Sequence, residues 1–328
     1  MEQRSKNSGR NMGRAMSQEF QSFDFRCKFG SKYFPYPIFT ASGCASSGKE
    51  LSQFFPLEEI GAVVTKSIAL KPRSGRATPR MAETPSGMLN SIGLQGPGID
   101  QFLEDDIPWL LANNSRVVVS ISGETVEEYA SLARRLRVVQ GLSGIEVNIS
   151  CPNVENRGMV FACDPIASRA VVEAVRRNIG GELPIIVKLS PDVTDIVSIA
   201  GEVISAGADG LALINTLLGM AIDIDAMRPK LAGKTGGLSG PAIRPVAVRA
   251  IYQVHAAFKN IPILGMGGVT NGRDALELIM AGASAVSIGT ANFGNPSAPI
   301  KVKNELELLL KEKGFSSVKD AVGVAHEN

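Results

Sequence analysis

Short apolar segments rich in Val, Ile and Leu recur along the chain, and each ends in small, polar or glycine residues. They lie at 37–43, 62–68, 116–122, 144–150, 184–190, 210–216, 262–268 and 285–291. Most are continuously apolar instead of alternating, which is typical of parallel strands that are buried on both faces. The pattern therefore predicts eight buried parallel strands, strands 1 to 8 in chain order.

Helical patterns lie between these strands. Apolar positions repeat at helical spacing in 125–139, 164–179, 192–207, 272–283 and 300–313. Asp164 with Pro165 is a helix-start signal, and Gly207 is a stop signal. Alternation of strand and helix eight times over predicts an α/β protein with a (β/α)8 TIM barrel, which is usually about 250 residues long. A doubly wound open sheet is the alternative, but no G-x-G-x-x-G turn follows strand 1.

The segments outside this alternation suggest how the chain is divided. We predict a disordered polar tail at 1–20, an N-terminal hairpin at 21–36 that covers the barrel bottom, a single barrel at 37–315 and a C-terminal tail at 316–328. The tail at 1–20 lacks the apolar centre of a secretory signal. A long Pro- and Gly-rich loop at 71–98 follows strand 2, and a loop of this length is typically a functional lid or disordered.

Composition narrows the class of function. The chain has 328 residues, of which 44% are apolar and 20% charged, and a net charge of +2. That balance argues against binding to nucleic acid or a membrane surface through bulk charge. No stretch is long and apolar enough for a transmembrane helix. The four cysteines lack C-x-x-C spacing, so we expect free thiols, no metal and a cytoplasmic location.

The ends of the strands carry the candidate chemistry, because barrel enzymes build their sites there. Strands 7 and 8 end in glycine-rich turns at Gly267, Gly268 and Gly289, where this fold usually binds phosphate. The strand ends also offer two lysines, four amide side chains and one thiol, without carboxylate or histidine. Such a set suits a flat, anionic, amide-rich ring and is ill suited to a metal ion.

At these positions the chain resembles dihydroorotate dehydrogenase. The resemblance spans residues 40–290 in order, in the motifs TASG (40–43), TKS (65–67), MLNSIGLQGPG (88–98), EVNISCPN (146–153), KLSP (188–191), INT (214–216), GGLSGPAI (236–243), GMGG (265–268) and SIGT (287–290). Cys151 in the fourth motif resembles class 1 enzymes, whose base is Cys, whereas class 2 enzymes place Ser there. The run 90–110 and the sequence after Cys151 resemble subclass 1B more than 1A.

The resemblance implies FMN-dependent oxidation of (S)-dihydroorotate to orotate in de novo pyrimidine (UMP) biosynthesis. Cys151 is then the catalytic base. It also implies an electron-transfer partner subunit that carries FAD and a [2Fe–2S] cluster and passes electrons to NAD. This chain would form a homodimer within a heterotetramer.

The same resemblance implies the residues of the site. Those implied for the substrate are Lys66, Asn90, Ser91, Ile92, Gly93, Leu94, Asn148, Asn153, Asn215 and Thr216. Those implied for FMN are Ser42, Gly43, Lys66, Ser67, Ser120, Asn148, Lys188, Ile214, Gly240, Gly267, Gly268, Gly289 and Thr290. Lys188 would stabilise negative charge on the reduced flavin. Ser120 departs from the family, which typically has Asn there, so we expect a weaker or rearranged contact with FMN.

Three alternatives stay open. One is a class 1A enzyme that uses fumarate without a partner chain, and another is a dihydropyrimidine dehydrogenase-like reductase acting on uracil. The third is a catalytically silent barrel that only docks a partner. Cys27, Cys44 and Cys163 are expected to be structural, and His255 to be an ordinary helix residue.

Overall fold

The computed structural model describes residues 23–150 and 161–327. The predicted tail at 1–20 lies outside the described residues, as do two predicted site residues, Cys151 and Asn153. No helix in the described ranges is long and apolar enough to cross a membrane.

The strands of the described ranges are β1 (Cys27–Phe29), β2 (Lys32–Phe34), β3 (Ile38–Thr40), β4 (Val63–Val64), β5 (Met81–Thr84), β6 (Gly87–Asn90), β7 (Val117–Ile121), β8 (Leu142–Asn148), β9 (Ile185–Lys188), β10 (Gly210–Leu213), β11 (Leu217–Met220), β12 (Ile222–Asp223), β13 (Arg228–Pro229), β14 (Thr235–Ser239), β15 (Ile263–Met266) and β16 (Ala285–Ile288). The helices are α1 (Ile99–Gln101), α2 (Ile107–Ala112), α3 (Val126–Arg137), α4 (Pro165–Ile179), α5 (Ile196–Ser205), α6 (Arg244–Ala257), α7 (Gly272–Met280), α8 (Ala291–Gly294), α9 (Ala298–Glu312) and α10 (Val318–Ala321).

Eight parallel strands form the barrel in the order β3, β16, β15, β10, β9, β8, β7, β4. The ring closes between β3 and the chain leading into β4, where Gly61 N–H donates to the Ile38 carbonyl at 2.7 Å. Thr40 extends the closure through its side chain, since its hydroxyl accepts from Val64 N–H at 2.9 Å and donates to the Val64 carbonyl at 3.2 Å. The predicted (β/α)8 barrel is therefore confirmed.

Aromatic side chains from a hairpin close the floor of the barrel. Strands β1 and β2 pair antiparallel, and Phe29 and Phe34 lie against Phe39 of β3 with ring centroids 6.0 and 4.8 Å away. These rings pack on inward-facing side chains of the barrel strands, among them Val64 and Ile186. A closed apolar floor leaves the opposite end, where the strands finish, as the open mouth.

Capping side chains set where the outer helices begin. Asp164 accepts from the N–H groups of Ile166 and Ala167 at 2.8 and 3.1 Å, so α4 begins at the predicted place. The helix predicted at 192–207 begins later, at Ile196, because Asp195 caps it by accepting from Val197 N–H at 3.0 Å. These helices pack their apolar faces on the strands and cover the barrel.

Two insertions build a second, smaller sheet beside the mouth. The loop predicted after strand 2 is ordered in part as the β5–β6 hairpin, and the chain after β10 contributes β11 and β14. The four strands pair antiparallel in the order β11, β14, β6, β5. The sequence pattern did not predict β11 to β14.

The C-terminal residues pack on the barrel although the sequence suggested only a tail. Asp24 N–H donates to the Ser316 carbonyl and Val318 N–H donates to the Asp24 carbonyl, which ties both ends of the barrel unit together. Beyond α10, the His326 ring stacks on Tyr252 of α6 with centroids 3.8 Å apart.

We expect Thr40→Val to lower the free energy of unfolding by about 1–3 kcal/mol, because Val is isosteric with Thr but leaves buried polar groups of Val64 without partners. Thr40→Ser is the matched control, since it keeps the hydroxyl. Urea unfolding of both variants measures the difference, and equal stability of the two would contradict the role given to the hydroxyl.

The C-terminal segment is expected to loosen in acid. Burial, and then the nearby charges of His326 and Lys259, lower the pKa of His255. A lowered histidine pKa means that the fold favours the neutral ring, so this stabilisation is present above the ordinary pKa of about 6.5 and is lost as the pH falls through the folded value. The protection factors of residues 318–327, which correct hydrogen exchange for its intrinsic pH dependence, should fall in that range in the wild type and fall less in His255→Gln. An identical pH dependence in both proteins would count against this assignment.

Candidate active site

A cavity of about 520 Å³ opens at the carboxyl ends of the barrel strands, beneath the small sheet. This volume is typical of sites for small molecules and cofactors. Most of the predicted site residues line it: Ser42, Gly43, Lys66, Ser67, Asn90, Ile92, Gly93, Leu94, Asn148, Lys188, Ile214, Asn215, Thr216, Gly240, Gly267, Gly268, Gly289 and Thr290. The folded barrel thus gathers into one place residues that are up to about 250 positions apart in the sequence.

Two predicted site residues in the described ranges do not line the cavity. Ser91 is fully buried, and its hydroxyl oxygen accepts from Arg76 at 3.3 Å. Ser120 is also fully buried, and its hydroxyl bonds to Ser67 and Glu146. Ser120 therefore lies behind the cavity wall, and the weaker or rearranged FMN contact expected for it stays a prediction.

Glycines shape the end of the cavity near strands 7 and 8. Gly268 has φ +75°, and a Cβ there would lie 2.8 Å from the Gly240 carbonyl oxygen. Gly240 itself has φ +95° and packs against Gly87 of the small sheet. Thr290 follows the second turn and donates its hydroxyl to Ser239 at 2.8 Å. Close backbone approach of this kind lets N–H groups surround a phosphate.

Two lysines give the cavity a positive charge. Lys188, at the end of β9, is only 4% exposed, and its Nζ donates to the Ser42 hydroxyl at 3.0 Å. Lys66 follows β4 and also lines the cavity. Burial raises the pKa of the nearby Cys44 thiol, although both lysines act in the opposite direction. Since no Asp, Glu or His belongs to the described lining, the wall suits an anion.

Asparagine side chains at the ends of β8 and β10 are held by one another and by Ser150. Asn215 Nδ2 donates to the Ser150 carbonyl at 3.0 Å and to the Ser150 hydroxyl at 2.8 Å. Asn148 Oδ1 accepts from the Ser150 N–H and hydroxyl at 3.2 and 3.1 Å. Amides fixed in this way present defined donors and acceptors, as recognition of a ring amide requires.

Pairing of β6 with β14 carries Asn90 to the cavity. Asn90 lies opposite Gly237, and its Nδ2 donates to the Gly237 carbonyl at 3.3 Å. A Cβ on Gly237 would lie 2.0 Å from Thr216 Oγ1, so the glycine lets Thr216 reach the same wall. The GGLSGPAI motif thereby joins two predicted substrate contacts.

Sequence reasoning missed part of the lining and one buried acid. Apolar side chains of Met81, Met88, Met266 and Phe293 line the cavity, and no local pattern distinguishes them from core residues. Glu146 lies on β8 and is fully buried. A carboxylate inside an apolar strand run was the available signal for it.

Three of the four cysteines lie in the described ranges, and Cys151 does not. The three described cysteines, Cys27, Cys44 and Cys163, are free thiols, as expected. Burial raises the pKa of each of them. Cys44 lines the cavity, whereas Cys27 lies in the floor hairpin and Cys163 lies outside the lining.

A (β/α)8 barrel with glycine turns beside a lysine- and amide-lined cavity defines the class of enzymes that hold a phosphorylated cofactor next to a small anionic substrate. The family model of dihydroorotate dehydrogenase matches residues 25–310. The chain belongs to the dihydroorotate dehydrogenase family.

Curated relatives cover most of the chain. It is 52% identical over 287 residues, 88% of this chain and 93% of the relative, to the "Dihydroorotate dehydrogenase B (NAD(+)), catalytic subunit" of Geobacter sp. (strain M21). It is 51% identical over 290 residues, 88% of this chain and 94% of the relative, to the protein of that name from Desulforamulus reducens. The predicted family and the predicted likeness to class 1B are confirmed.

The described residues fit FMN, the cofactor of this family. The glycine turns suit its phosphate, and Lys188 in the same wall would supply a positive charge for the flavin ring. Gly43, with φ +87°, has no protein atom within 4 Å of where a Cβ would stand, so that side of its backbone faces open space.

We expect Gly43→Ala to lose bound flavin while the protein still folds. A left-handed alanine costs about 1–2 kcal/mol, and the added methyl would occupy space in the cavity. Gly314→Ala is the matched control, because Gly314 has φ +81°, equally open surroundings and a place outside the lining. Flavin absorbance per chain and Tm are measured together. Equal flavin content in the two variants would contradict a ligand at Gly43.

Proposed function

We propose that this chain is the catalytic subunit of a class 1B dihydroorotate dehydrogenase, which oxidises (S)-dihydroorotate to orotate in pyrimidine biosynthesis. The observation that carries the proposal is the single cavity that combines glycine turns, Lys66, Lys188 and the three amides of Asn90, Asn148 and Asn215. The relatives' printed name describes a dehydrogenase of this class.

Bound FMN would supply the two-electron acceptor for the hydride that leaves the substrate carbon next to the one that loses a proton. Gly240, Gly267, Gly268, Gly289 and Thr290 would hold its phosphate end. Lys188 would stabilise negative charge that develops on the ring, and its burial strengthens that effect because little water screens it.

The side of the cavity that carries the asparagine amides would recognise the substrate. Asn148 and Asn215, fixed by Ser150, would pair with the ring amides of dihydroorotate. Asn90 of the small sheet and Thr216, just before β11, line the same cavity. Lys66 supplies the charge that a substrate carboxylate requires.

Cys151 is the proposed general base. Ser150, which precedes it in the chain, is bound to Asn215 at the cavity. A thiolate would take the proton from the carbon next to the carbonyl, while the hydride leaves from the neighbouring carbon, so that two C–H bonds break and the ring gains a C=C bond. A cationic side chain beside a thiol favours the thiolate form, and the cavity wall carries Lys66 and Lys188.

Electrons would leave through a second protein. The name "catalytic subunit" of the relatives implies a separate partner subunit. We propose that this partner carries FAD and a [2Fe–2S] cluster, reduces NAD, and joins a homodimer of this chain in a cytoplasmic heterotetramer. Exposed aliphatic side chains on the insertion after β10, namely Leu218, Met220, Ile222, Ile224 and Met227, support contact with another chain.

Anaerobic mixing tests the proposal as a whole. Dihydroorotate should bleach the flavin of the purified chain, and NAD alone should not restore the colour. Colour restored by NAD alone would overturn the need for a partner. Turnover with fumarate alone would indicate class 1A, and preferential reaction with uracil-type substrates would indicate a dihydropyrimidine dehydrogenase-like enzyme. A colourless protein would favour the silent barrel.

We expect Cys151→Ala to keep its FMN and to slow flavin reduction by dihydroorotate 10²–10⁴-fold, which is about the usual effect of losing a general base. Stopped-flow single-turnover reduction is the measurement. Cys163→Ala is the control, since Cys163 is an exposed thiol outside the cavity lining. If both variants reduce the flavin at the wild-type rate, Cys151 has no part in proton removal.

A further inference from the structure

Glu146 is a buried acid that the proposed reaction does not use. It lies on β8 inside the barrel, two residues before Asn148, and its side chain is fully buried. Its Oε1 accepts from the Ser120 hydroxyl at 2.8 Å. Its Oε2 has no hydrogen-bond partner among the described residues. A buried carboxylate with a single partner is costly, so its presence requires an explanation.

A continuous chain of hydrogen bonds joins Glu146 to the cavity wall. Ser120 Oγ lies 2.8 Å from Ser67 Oγ, and Asn148 Nδ2 donates to Ser67 Oγ at 2.9 Å. Ser67 and Asn148 both line the cavity, whereas Ser120 and Glu146 lie behind them. Three bonds therefore connect the buried acid to an amide that faces the site.

The acid fixes the direction of every bond in this chain. Glu146 Oε1 accepts from the Ser120 hydroxyl, so Ser120 is the donor in the first bond. The single hydroxyl hydrogen of Ser120 is used in that bond, so Ser120 can only accept from Ser67. The Ser67 hydroxyl therefore donates to Ser120. The Ser67 oxygen can then only accept a hydrogen bond from Asn148. Of the two ends of the Asn148 amide, only the NH₂ group can donate it.

The orientation of Asn148 follows from that direction. With Nδ2 toward Ser67, Oδ1 points to Ser150, whose N–H and hydroxyl both donate to it. One Nδ2–H is used by Ser67, and the second remains for a ligand. Reversal of the serine hydroxyls would make Ser67 a donor facing Nδ2 and would remove this hold on the amide, while the Ser150 N–H would still donate to Oδ1.

We propose that Glu146 is a positioning residue that acts through Ser120 and Ser67 to hold the Asn148 amide with its N–H toward the bound substrate. Ser120, where the family typically has Asn, thereby serves the site through Ser67 instead of touching the flavin. The part of this inference that concerns the substrate rests on the proposed function.

The decisive variants are Glu146→Met, which removes the acceptor, and Glu146→Gln, which keeps an acceptor oxygen of the same shape. Gln replaces Oε2, which bonds to no described residue, so it should preserve the chain of bonds. Ser120→Ala breaks the next bond and serves if Glu146→Met fails to fold. Ser115→Ala is the control, because Ser115 is a buried serine just before the opposite end of β7.

Orotate affinity of the FMN-loaded protein, followed by flavin absorbance, is the first readout. We expect Glu146→Met and Ser120→Ala each to weaken binding about tenfold, the effect of about one hydrogen bond, and the double variant to be no worse than either single one. Glu146→Gln and Ser115→Ala should bind within about threefold of wild type. Equal loss in Glu146→Gln and Glu146→Met, or wild-type affinity in Glu146→Met, would overturn the proposal.

The side-chain NMR signals of Asn148 are the second readout, and they do not depend on the reaction. In protein labelled with ¹⁵N-asparagine, the Nδ2 signals are assigned by their loss in Asn148→Asp. They should shift or broaden in Glu146→Met and Ser120→Ala and stay in place in Glu146→Gln. Unchanged signals in the first two variants would overturn the orientation argument. Wild-type protein that binds no orotate would instead contradict the proposed function and leave this measurement valid.

Discussion

Closure of the strand ring is the constraint on which the rest of the molecule depends. Parallel strands can share one continuous set of hydrogen bonds only if the last meets the first, and here backbone bonds of Gly61 and Thr40 join β3 to the chain leading into β4. The Thr40 hydroxyl supplies both a donor and an acceptor to Val64 at the seam. Once the ring is closed, every strand must end at the same rim, so the chemistry of eight distant segments converges there.

A gradient of polarity along the barrel axis follows from this closure. The lower interior is filled by the hairpin aromatics and by small and branched apolar residues such as Val118 and Ala212. The upper interior carries Lys188, Glu146, Ser67 after β4 and Ser120 of β7. Buried polar groups are tolerable there because they bond to one another, whereas the floor contributes apolar burial. Stability and chemistry thus occupy different layers of one barrel.

The barrel was predictable from the sequence because its strands carry strong local signals. Continuous Val and Ile runs, Asp caps and glycine stops each act within a few residues, and they placed α4 and the eight strands well. The small sheet was not predictable, since its short strands pair across long distances: Asn90 bonds to Gly237, 147 positions away. Two short strands that pair at such a separation do not show a hydrophobic pattern from which either could be predicted.

The site shows the same division between local and non-local information. Motifs placed Asn148, Asn215 and the glycine turns in one cavity, because each sits at a strand end. They could not show that Ser120 lies behind the wall, since inward-facing residues one layer apart look alike in sequence. A serine is shorter than an asparagine at that position, so it bonds sideways to Ser67 and Glu146. What a strand-end motif fixes is therefore the direction in which a side chain points, while its reach and its partners depend on the neighbouring strands.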